Sequence, residues 1–259
     1  MLALRSVLFV LFQVVTVVPW GFICLACAPL PLHWRYRVTI CWPRMVLWAG
    51  RVLCGMRWQV RGRENLPDGP AILLSKHQST WETFFYVSYM PRELCFVFKR
   101  ELLYLPFFGW GIGLLSMIHI DRRRGRDAFE SVVSQGVRKL AEDRWIIMFP
   151  EGTRTPVGSQ GKYKSGGARL AVRTGAPAVP IAVNSGECWP KRRFVIRPGL
   201  ITVSIGKPIA VHGRDPEVVN AEVERWIEAE MRVISPNAYA GGAARAPAQR
   251  ARGPGAGLA

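Results

Sequence analysis

Short apolar runs alternate with stretches of helical periodicity through most of this chain. The apolar runs predict strands, because strands buried on both faces read as continuous hydrophobic segments. They lie at residues 71–75, 94–98, 116–120, 145–149, 178–183, 193–197 and 200–205. Helical patterns occupy residues 80–90, 127–142, 165–174 and 215–234. This alternation predicts an α/β domain over residues 61–235, with a mostly parallel sheet flanked by helices.

The beginning of the chain is apolar without such alternation. Residues 6–34 contain no Asp, Glu, Lys or Arg, and ~20 apolar residues are enough to span a bilayer. Pro19 and Gly21 interrupt the run, so a bent or re-entrant helix is one form it could take. A cleaved signal peptide is the alternative, with the small residues at 26 and 28 as its cleavage site. Positive charges flank both ends and therefore indicate no orientation.

Residues 40–58 predict a second, amphipathic helix. Arg44 and Arg51 are seven residues apart and share a face, with Leu47 and Trp48 expected opposite or nearly so. Such a helix either lies in the membrane interface or packs on the domain with its arginines in water. Residues 1–60 are accordingly predicted to form an N-terminal membrane-associated segment.

Composition narrows the class of partner. Lys and Arg outnumber Asp and Glu by 35 to 18, which gives a net charge of +17 and favours anionic partners. Hydrophobic residues make up 49% of the chain and ten residues are Trp, which is more apolar mass than a nucleic-acid-binding module carries. A basic protein on an anionic membrane fits both features, so we expect membrane lipids and no nucleic acid as partners.

The cysteines and the end of the chain add little chemistry. Cys24 and Cys27 lie inside an apolar segment and no second close pair exists among the six cysteines. We therefore interpret them as apolar filler rather than a metal or redox site, in a reducing cytoplasmic setting. Residues 236–259 are rich in Ala, Gly, Pro and Arg, and predict a disordered basic tail.

Candidate chemistry is concentrated at residues 77–82, His-Gln-Ser-Thr-Trp-Glu. They follow a predicted strand and open a predicted helix, so His77 would lie at a strand end with Glu82 close to it. An imidazole oriented by a carboxylate can act as a general base. Ser79 and Glu82 also have the spacing of a helix capping box. The two interpretations are compatible, since a capped helix start would hold the pair rigidly.

Three further blocks follow: residues 98–102 leading through 105–111 to 120–122, then 149–155, and then 179–184. In this order and spacing they resemble the glycerolipid acyltransferase family, the group that contains bacterial 1-acylglycerol-3-phosphate acyltransferases. The resemblance covers about residues 60–210. The family pattern is most often His-x-x-x-x-Asp, whereas this chain has Glu82, which keeps the charge and adds one methylene.

The resemblance implies transfer of a fatty acyl group from a thioester to the hydroxyl of 1-acylglycerol 3-phosphate, which makes phosphatidic acid. His77 would take the hydroxyl proton, Glu82 would orient His77, and amides near residues 79–81 would stabilise the oxyanion. Coenzyme A or acyl carrier protein would carry the acyl group, and no metal or tightly bound cofactor is required. The enzyme would lie at the cytoplasmic face of the inner or plasma membrane.

Substrate-binding residues are expected in two of the blocks. The candidates are Lys99, Arg100, Arg122, Glu151, Gly152, Thr153 and Arg154. Arg binds phosphate through two parallel hydrogen bonds, and Lys acts as a point charge. Glu151 would accept a hydrogen bond from a substrate hydroxyl or orient Arg154. Residues 105–115 would form either core and loop or part of the path of the acyl chain.

Other functions remain open on the sequence. The same chemistry on another acceptor, glycerol 3-phosphate or a lyso-ornithine lipid, is the nearest. An inert membrane lipid-binding protein belongs to a different class, and Glu82 in place of Asp would be a hint of it. Measured acyl transfer separates these classes.

Overall fold

A seven-stranded sheet forms the centre of the protein in a computed structural model that describes residues 1–121 and 126–240. The strands are β1 (Met56–Arg61), β2 (Ile72–Ser75), β3 (Leu94–Lys99), β4 (Ile118–Ile120), β5 (Trp145–Met148), β6 (Ala178–Val183) and β7 (Gly199–Ile205). The helices are α1 (Leu2–Ala26), α2 (Leu32–Cys54), α3 (Trp81–Tyr89), α4 (Phe108–Leu114), α5 (Arg126–Ala141), α6 (Gly166–Thr174), α7 (Pro216–Ile234) and α8 (Pro236–Tyr239).

The strand order is β1-β7-β6-β2-β5-β3-β4, and among the pairs of these seven described strands only β6–β7 is antiparallel. The predicted fold class, a mostly parallel sheet flanked by helices, is confirmed. Strands β2 to β6 all end at one edge, which we call the carboxyl-terminal edge. Because β1 and β7 run the opposite way, they begin at this edge. Open α/β sheets bind their ligands there.

Both faces of the sheet are covered, which explains the continuous apolar runs. Leu73 packs toward α1, α2 and α3, whereas its neighbours Ile72 and Leu74 pack toward α5, α6 and α7. Successive strand residues point to opposite faces. Each face of the sheet has its own hydrophobic core, so β2 has no solvent-exposed face. Its residues are therefore all apolar up to Leu74 and do not alternate with polar ones.

Helix α1 lies against the domain along one side. Its residues Ser6 and Phe9 are buried, the Ser6 hydroxyl accepts the Ile196 amide at 2.9 Å, and the Phe9 ring packs edge-on against Trp189. The outward side is apolar and exposed. Among the described helices, α1 alone is long and apolar enough to cross a bilayer, with a mean hydropathy of 2.3. Pro19 lies within the helix without ending it.

The structure corrects the predicted second helix. Helix α2 begins at Leu32 and ends at Cys54, so residues 56–58 belong to strand β1 and the folded domain begins before residue 61. Leu47 is buried as expected, but Trp48 is 61% exposed. Residues four apart on a helix, such as Arg44 and Trp48, differ in direction by only ~40°. Trp48 therefore shares the outward face with Arg44 and Arg51, and its predicted opposite placement was wrong.

Three other predictions differ from the structure. Residues 193–197 form a loop, because the Ile196 amide donates to α1 and the Arg197 amide to Cys188 rather than to a neighbouring strand. Within 105–115 the chain forms α4. At the start of the predicted tail, Pro236–Tyr239 is helical, and residues 241–259 of that prediction lie outside the described part of the chain.

Gly62 follows β1 directly, and an alanine there would be unfavourable for two reasons, its backbone conformation and a steric clash. Its φ is +72°, and a Cβ there would lie 2.1 Å from the Ile205 carbonyl oxygen. Gly213 has φ +70° with no atom within 4 Å of such a Cβ. We expect Gly213→Ala to lower the free energy of unfolding by ~1–2 kcal/mol. Gly62→Ala should lower it by a further ~1–3 kcal/mol because of the clash. Denaturant unfolding in detergent measures both, and equal losses would contradict the close approach.

Candidate active site

The two predicted loops converge at the carboxyl-terminal edge. His77 follows β2, and residues 150–154 follow the neighbouring strand β5. The His77 ring stacks on Phe149 at a centroid distance of 3.8 Å. The amide of Thr155 donates to the His77 carbonyl at 2.7 Å. Adjacent parallel strands thus place the histidine beside the Pro-Glu-Gly-Thr-Arg loop, although 74 residues separate His77 from Glu151 in the sequence.

His77 and Glu82 form the predicted pair. His77 Nδ1 lies 2.5 Å from Glu82 Oε2. The other carboxylate oxygen, Oε1, accepts the amides of Gln78 and Ser79, each at 2.8 Å, and the hydroxyl of Ser185. Glu82 is fully buried. It therefore holds the loop that leads into α3 with one oxygen and orients the histidine with the other. The N-cap of α3 is Thr80, which makes no side-chain capping bond, so the predicted capping box is present only in the bond from the Ser79 amide to Glu82.

This arrangement fixes which nitrogen of His77 is free to react. With Nδ1–H donated to the carboxylate, the lone pair of a neutral imidazole is on Nε2. His77 lines a large cavity, whereas Glu82 lies behind it. An imidazole held in this way can accept a proton from a hydroxyl group and become an imidazolium stabilised by the carboxylate.

The predicted oxyanion amides are partly engaged elsewhere. The Ser79 amide donates to Glu82, and the Trp81 amide donates to the Ser79 hydroxyl at 3.1 Å. Two of the three amides at 79–81 are thus already bonded to side chains at the entry to α3.

A buried ion cluster lies beneath the two loops. Lys76 has no exposed surface, and its Nζ contacts Glu151 Oε1 at 2.8 Å, Glu228 Oε1 at 2.7 Å and the Ser159 carbonyl at 3.0 Å. The Tyr163 hydroxyl donates to Glu228 at 2.9 Å. Burial and, next, the charge of Glu228 raise the pKa of Tyr163, so it remains a donor. The cluster joins the ends of β2 and β5 to α7.

Glu151 lies below the site rather than at its surface. Its Oε2 accepts the His77 amide at 3.1 Å and the Thr155 hydroxyl at 3.3 Å, and its Oε1 accepts the Gly161 amide at 3.1 Å in addition to Lys76. A carboxylate so fully occupied is not placed for the predicted contact with a substrate hydroxyl. It ties the backbone of His77 to the neighbouring loop instead.

The cavity has a volume of about 750 Å³ and is mostly apolar. Its predicted members are His77, Lys99, Gly152, Thr153 and Arg154. Its apolar wall comes largely from α1, α2, α3 and α4, and includes part of the 105–115 segment. Of the described residues that line it, every charged one is a cation, including the unpredicted Lys164. The cavity thus combines a base, cations and room for an apolar chain.

Two predicted phosphate ligands are placed differently. Arg100 lies 3.7 Å from Asp121 in a half-exposed ion pair and does not line the cavity. Arg122 lies outside the described residues, as do Arg123 and Arg124, for which a solvated loop was expected. Lys99 and Arg154 are therefore the predicted cations that the structure brings to the site.

Arg154 is held from two directions. Its Nη1 donates to the Thr80 hydroxyl at 2.6 Å, and its carbonyl accepts Lys191 Nζ at 2.6 Å. Lys191 also reaches the Thr153 hydroxyl at 3.2 Å. Burial, followed by the charges of Arg192 and Arg154, lowers the pKa of Lys191. Three positive charges, on Arg154, Lys191 and Arg192, thus lie close together, and no carboxylate is among the contacts of Lys191. This surplus of positive charge favours binding of an anionic ligand.

Several of these residues were missed by sequence reasoning. Lys76 gave a signal, since a charge directly at the end of an apolar strand is unusual. Lys164 follows the recognised loop by only ten residues. Ser185 and Lys191 belong to the connection after β6, and no local pattern relates them to Glu82 or Arg154.

Comparison with known proteins identifies related chains. The Acyltransferase family model matches residues 57–184. A 1-acyl-sn-glycerol-3-phosphate acyltransferase of Pseudomonas aeruginosa is 44% identical over 239 residues, which cover 90% of this chain and 93% of that protein. The Homo sapiens 1-acyl-sn-glycerol-3-phosphate acyltransferase alpha is 33% identical over 186 residues, covering 70% of this chain and 65% of that protein.

A solved structure has a similar fold. The crystal structure of the 1-acyl-sn-glycerophosphate acyltransferase PlsC from Thermotoga maritima superposes with a TM-score of 0.73. It is 23% identical and covers 89% of this chain and 94% of that one.

Glu82→Gln separates the orientation of His77 from the bonds that Glu82 makes to the amides of the loop before α3. The glutamine oxygen can still accept the two amides, but its NH2 group would face Nδ1 and force the proton onto Nε2. We expect acyl transfer to fall by ~10²–10⁴ with little change in melting temperature. Ser185→Ala is the matched control, since it removes a donor from the same carboxylate and leaves the charge. A Glu82→Gln protein with a normal rate per folded molecule would refute the pairing.

Lys76→Met tests the ion cluster. It would leave the carboxylates of Glu151 and Glu228 buried without a cation, so we expect the free energy of unfolding to fall by ~3–5 kcal/mol. Glu228→Gln keeps the Lys76–Glu151 pair and should cost less. Denaturant unfolding of both variants in detergent measures the difference. Equal stability of Lys76→Met and the native protein would show that the cluster contributes nothing.

Proposed function

The chain belongs to the acyltransferase family and is an O-acyltransferase, and on this premise we propose the reaction and the roles of its residues. It transfers a fatty acyl group from a thioester to the free hydroxyl of 1-acylglycerol 3-phosphate, which makes phosphatidic acid. The observation that carries the proposal is that His77, backed by Glu82, and Arg154 line one mostly apolar cavity. A base, a phosphate-binding cation and an apolar wall are what a lysophospholipid acceptor requires.

His77 acts first as base and then as acid. Its Nε2 takes the proton of the acceptor hydroxyl as that oxygen attacks the thioester carbonyl. The tetrahedral intermediate then collapses, the carbon–sulfur bond breaks, and the thiol leaves with the proton from Nε2. Glu82 stabilises the imidazolium between the two steps. No serine or cysteine nucleophile is needed, because the acceptor supplies the attacking oxygen.

The cations of the cavity bind the acceptor phosphate. Arg154 offers a planar pair of donors, and Lys99 and Lys164 add point charges. A lyso-ornithine lipid has no phosphate, so this set of cations favours a phosphorylated acceptor. The apolar walls from α1, α2, α3 and α4 favour an acceptor or donor chain over the small, fully polar glycerol 3-phosphate.

The acyl donor is a thioester of coenzyme A or of acyl carrier protein, and the reaction uses no metal ion or tightly bound cofactor. Histidine supplies proton transfer and the cations supply charge stabilisation.

The protein associates with the membrane through its N-terminal segment. We place it at the cytoplasmic face, because all six cysteines are free and the donor carriers are cytoplasmic.

An acceptor panel tests the reaction. Purified full-length protein would be assayed with 1-acylglycerol 3-phosphate, glycerol 3-phosphate and a lyso-ornithine lipid, each with both thioester carriers. We expect 1-acylglycerol 3-phosphate to be used most efficiently. The His77→Ala variant is the negative control and should be folded but inactive. Preference for another acceptor would reassign the substrate, and binding of lipid without turnover would make the protein a non-catalytic lipid binder.

Arg154→Ala should raise the Michaelis constant for the phosphorylated acceptor much more than that for the thioester. A guanidinium paired with phosphate contributes binding mainly to the substrate that carries it. Arg154→Lys should rescue only part of the loss, because it keeps the charge and loses the two parallel hydrogen bonds. Steady-state kinetics with each substrate varied in turn gives both constants. An equal or larger effect on the thioester would remove Arg154 from the acceptor site.

A further inference from the structure

The carboxyl-terminal edge carries cations beyond the catalytic cavity. Strand β7 is antiparallel to β6 and β1 is parallel to β7, so the first residues of both strands lie at the edge where β2 and β5 end. Arg57, the second residue of β1, is opposite Leu200 of β7 in the register. The sheet topology thus brings the start of β1 to the same edge as His77.

A separate niche of about 330 Å³ lies at this position. It is lined by Arg51 at the end of α2, by Arg57 and Trp58 of β1, and by Leu200. The Arg51 guanidinium lies 6.0 Å from the centre of the Trp58 ring. Both arginines are exposed, and neither forms an ion pair within residues 1–121 and 126–240. The niche therefore presents two unneutralised guanidinium groups.

The rim of the niche is apolar and faces outward. Leu200 is 45% exposed, and Trp48 and Val52, which share the outward face of α2 with Arg51, are 61% and 54% exposed. Exposed aromatic and aliphatic side chains beside arginines are typical of a surface that lies at the level of lipid headgroups. A soluble anion would gain nothing from these apolar side chains, whereas a lipid would contact both groups.

The surrounding sequence has a uniform charge. Residues 1–63 contain eight arginines and no Asp or Glu, and residues 188–214 contain six Lys or Arg and no acid. These two segments supply α1, α2, β1, the loop before β7, and β7 itself. Negative charge is absent from the sequence of the very elements that build the niche, so an anionic partner is attracted without local repulsion.

From this geometry we propose that the niche binds the headgroup phosphate of an anionic membrane phospholipid. Arg51 and Arg57 bind the phosphate, and the acyl chains pass along Trp48 and Val52 on α2. The site is separate from the cavity that His77 lines and shares no lining residue with it. The proposal therefore does not depend on which acceptor the enzyme uses. It fixes the carboxyl-terminal edge against the bilayer at a second point besides α1.

Arg57→Gln and Arg61→Gln form a matched pair for the test. Both residues are exposed, belong to β1 and lie on the same face of it, but Arg61 is four residues, or ~13 Å, further toward the opposite edge. Each change removes one positive charge. Full-length protein in neutral detergent would be titrated with short-chain phosphatidylglycerol and with phosphatidylcholine of the same chain length, in an Arg154→Ala background that weakens binding in the catalytic cavity.

We expect Arg57→Gln to weaken phosphatidylglycerol binding about tenfold, the loss of one charge-assisted hydrogen-bonded contact. Arg61→Gln should leave binding nearly unchanged, Arg57→Lys should be intermediate, and phosphatidylcholine should bind weakly throughout. Equal losses in Arg57→Gln and Arg61→Gln would overturn the site in favour of general charge attraction. Inorganic phosphate competing as well as the lipid would overturn the lipid assignment. Neither result depends on turnover, so failure here leaves the proposed reaction standing.

Discussion

Lys76 brings a positive charge into the protein interior, and the geometry of the catalytic edge depends on how that charge is satisfied. Glu151 and Glu228 both contact its ammonium group, from the loop after β5 and from α7. Two buried carboxylates around one lysine are stable only if other donors serve them. The His77 amide, the Thr155 hydroxyl and the Gly161 amide do so at Glu151, and the Tyr163 hydroxyl at Glu228.

This cluster couples three parts of the chain that sequence distance separates. The residue after Lys76 is His77, the proposed base, and the three residues after Glu151 line the cavity, so any shift of the ion pair would move His77 relative to Arg154. Catalysis gains from reacting groups held within fractions of an ångström. The buried ions therefore contribute to positioning, while the hydrophobic layers on either side of the sheet provide most of the driving force for folding.

Glu82 likewise holds two parts of the site at once, over a shorter distance. One oxygen accepts the amides of Gln78 and Ser79 in the loop before α3, and the other faces His77. The extra methylene relative to the usual aspartate does not prevent the contact, since the Nδ1–Oε2 distance is 2.5 Å. The cavity that His77 lines is walled in part by apolar residues of α1 and α2.

The sequence alone determined the α/β class, most of the strands and helices, and the pairing of His77 with Glu82, because all of these depend on local periodicity or on residues five apart. It also identified Lys99 and Arg154 through the family resemblance. Local patterns misassigned residues 193–197 and the face of Trp48, and they gave no reason to relate Lys76, Ser185, Lys191 or Glu228 to the site. Those residues meet only because parallel strands end together and α7 packs beneath them. Long-range contacts of this kind leave no periodic trace in a sequence, so only the tertiary structure decided which charges face the substrate and which, like Glu151, are buried to hold the site in place.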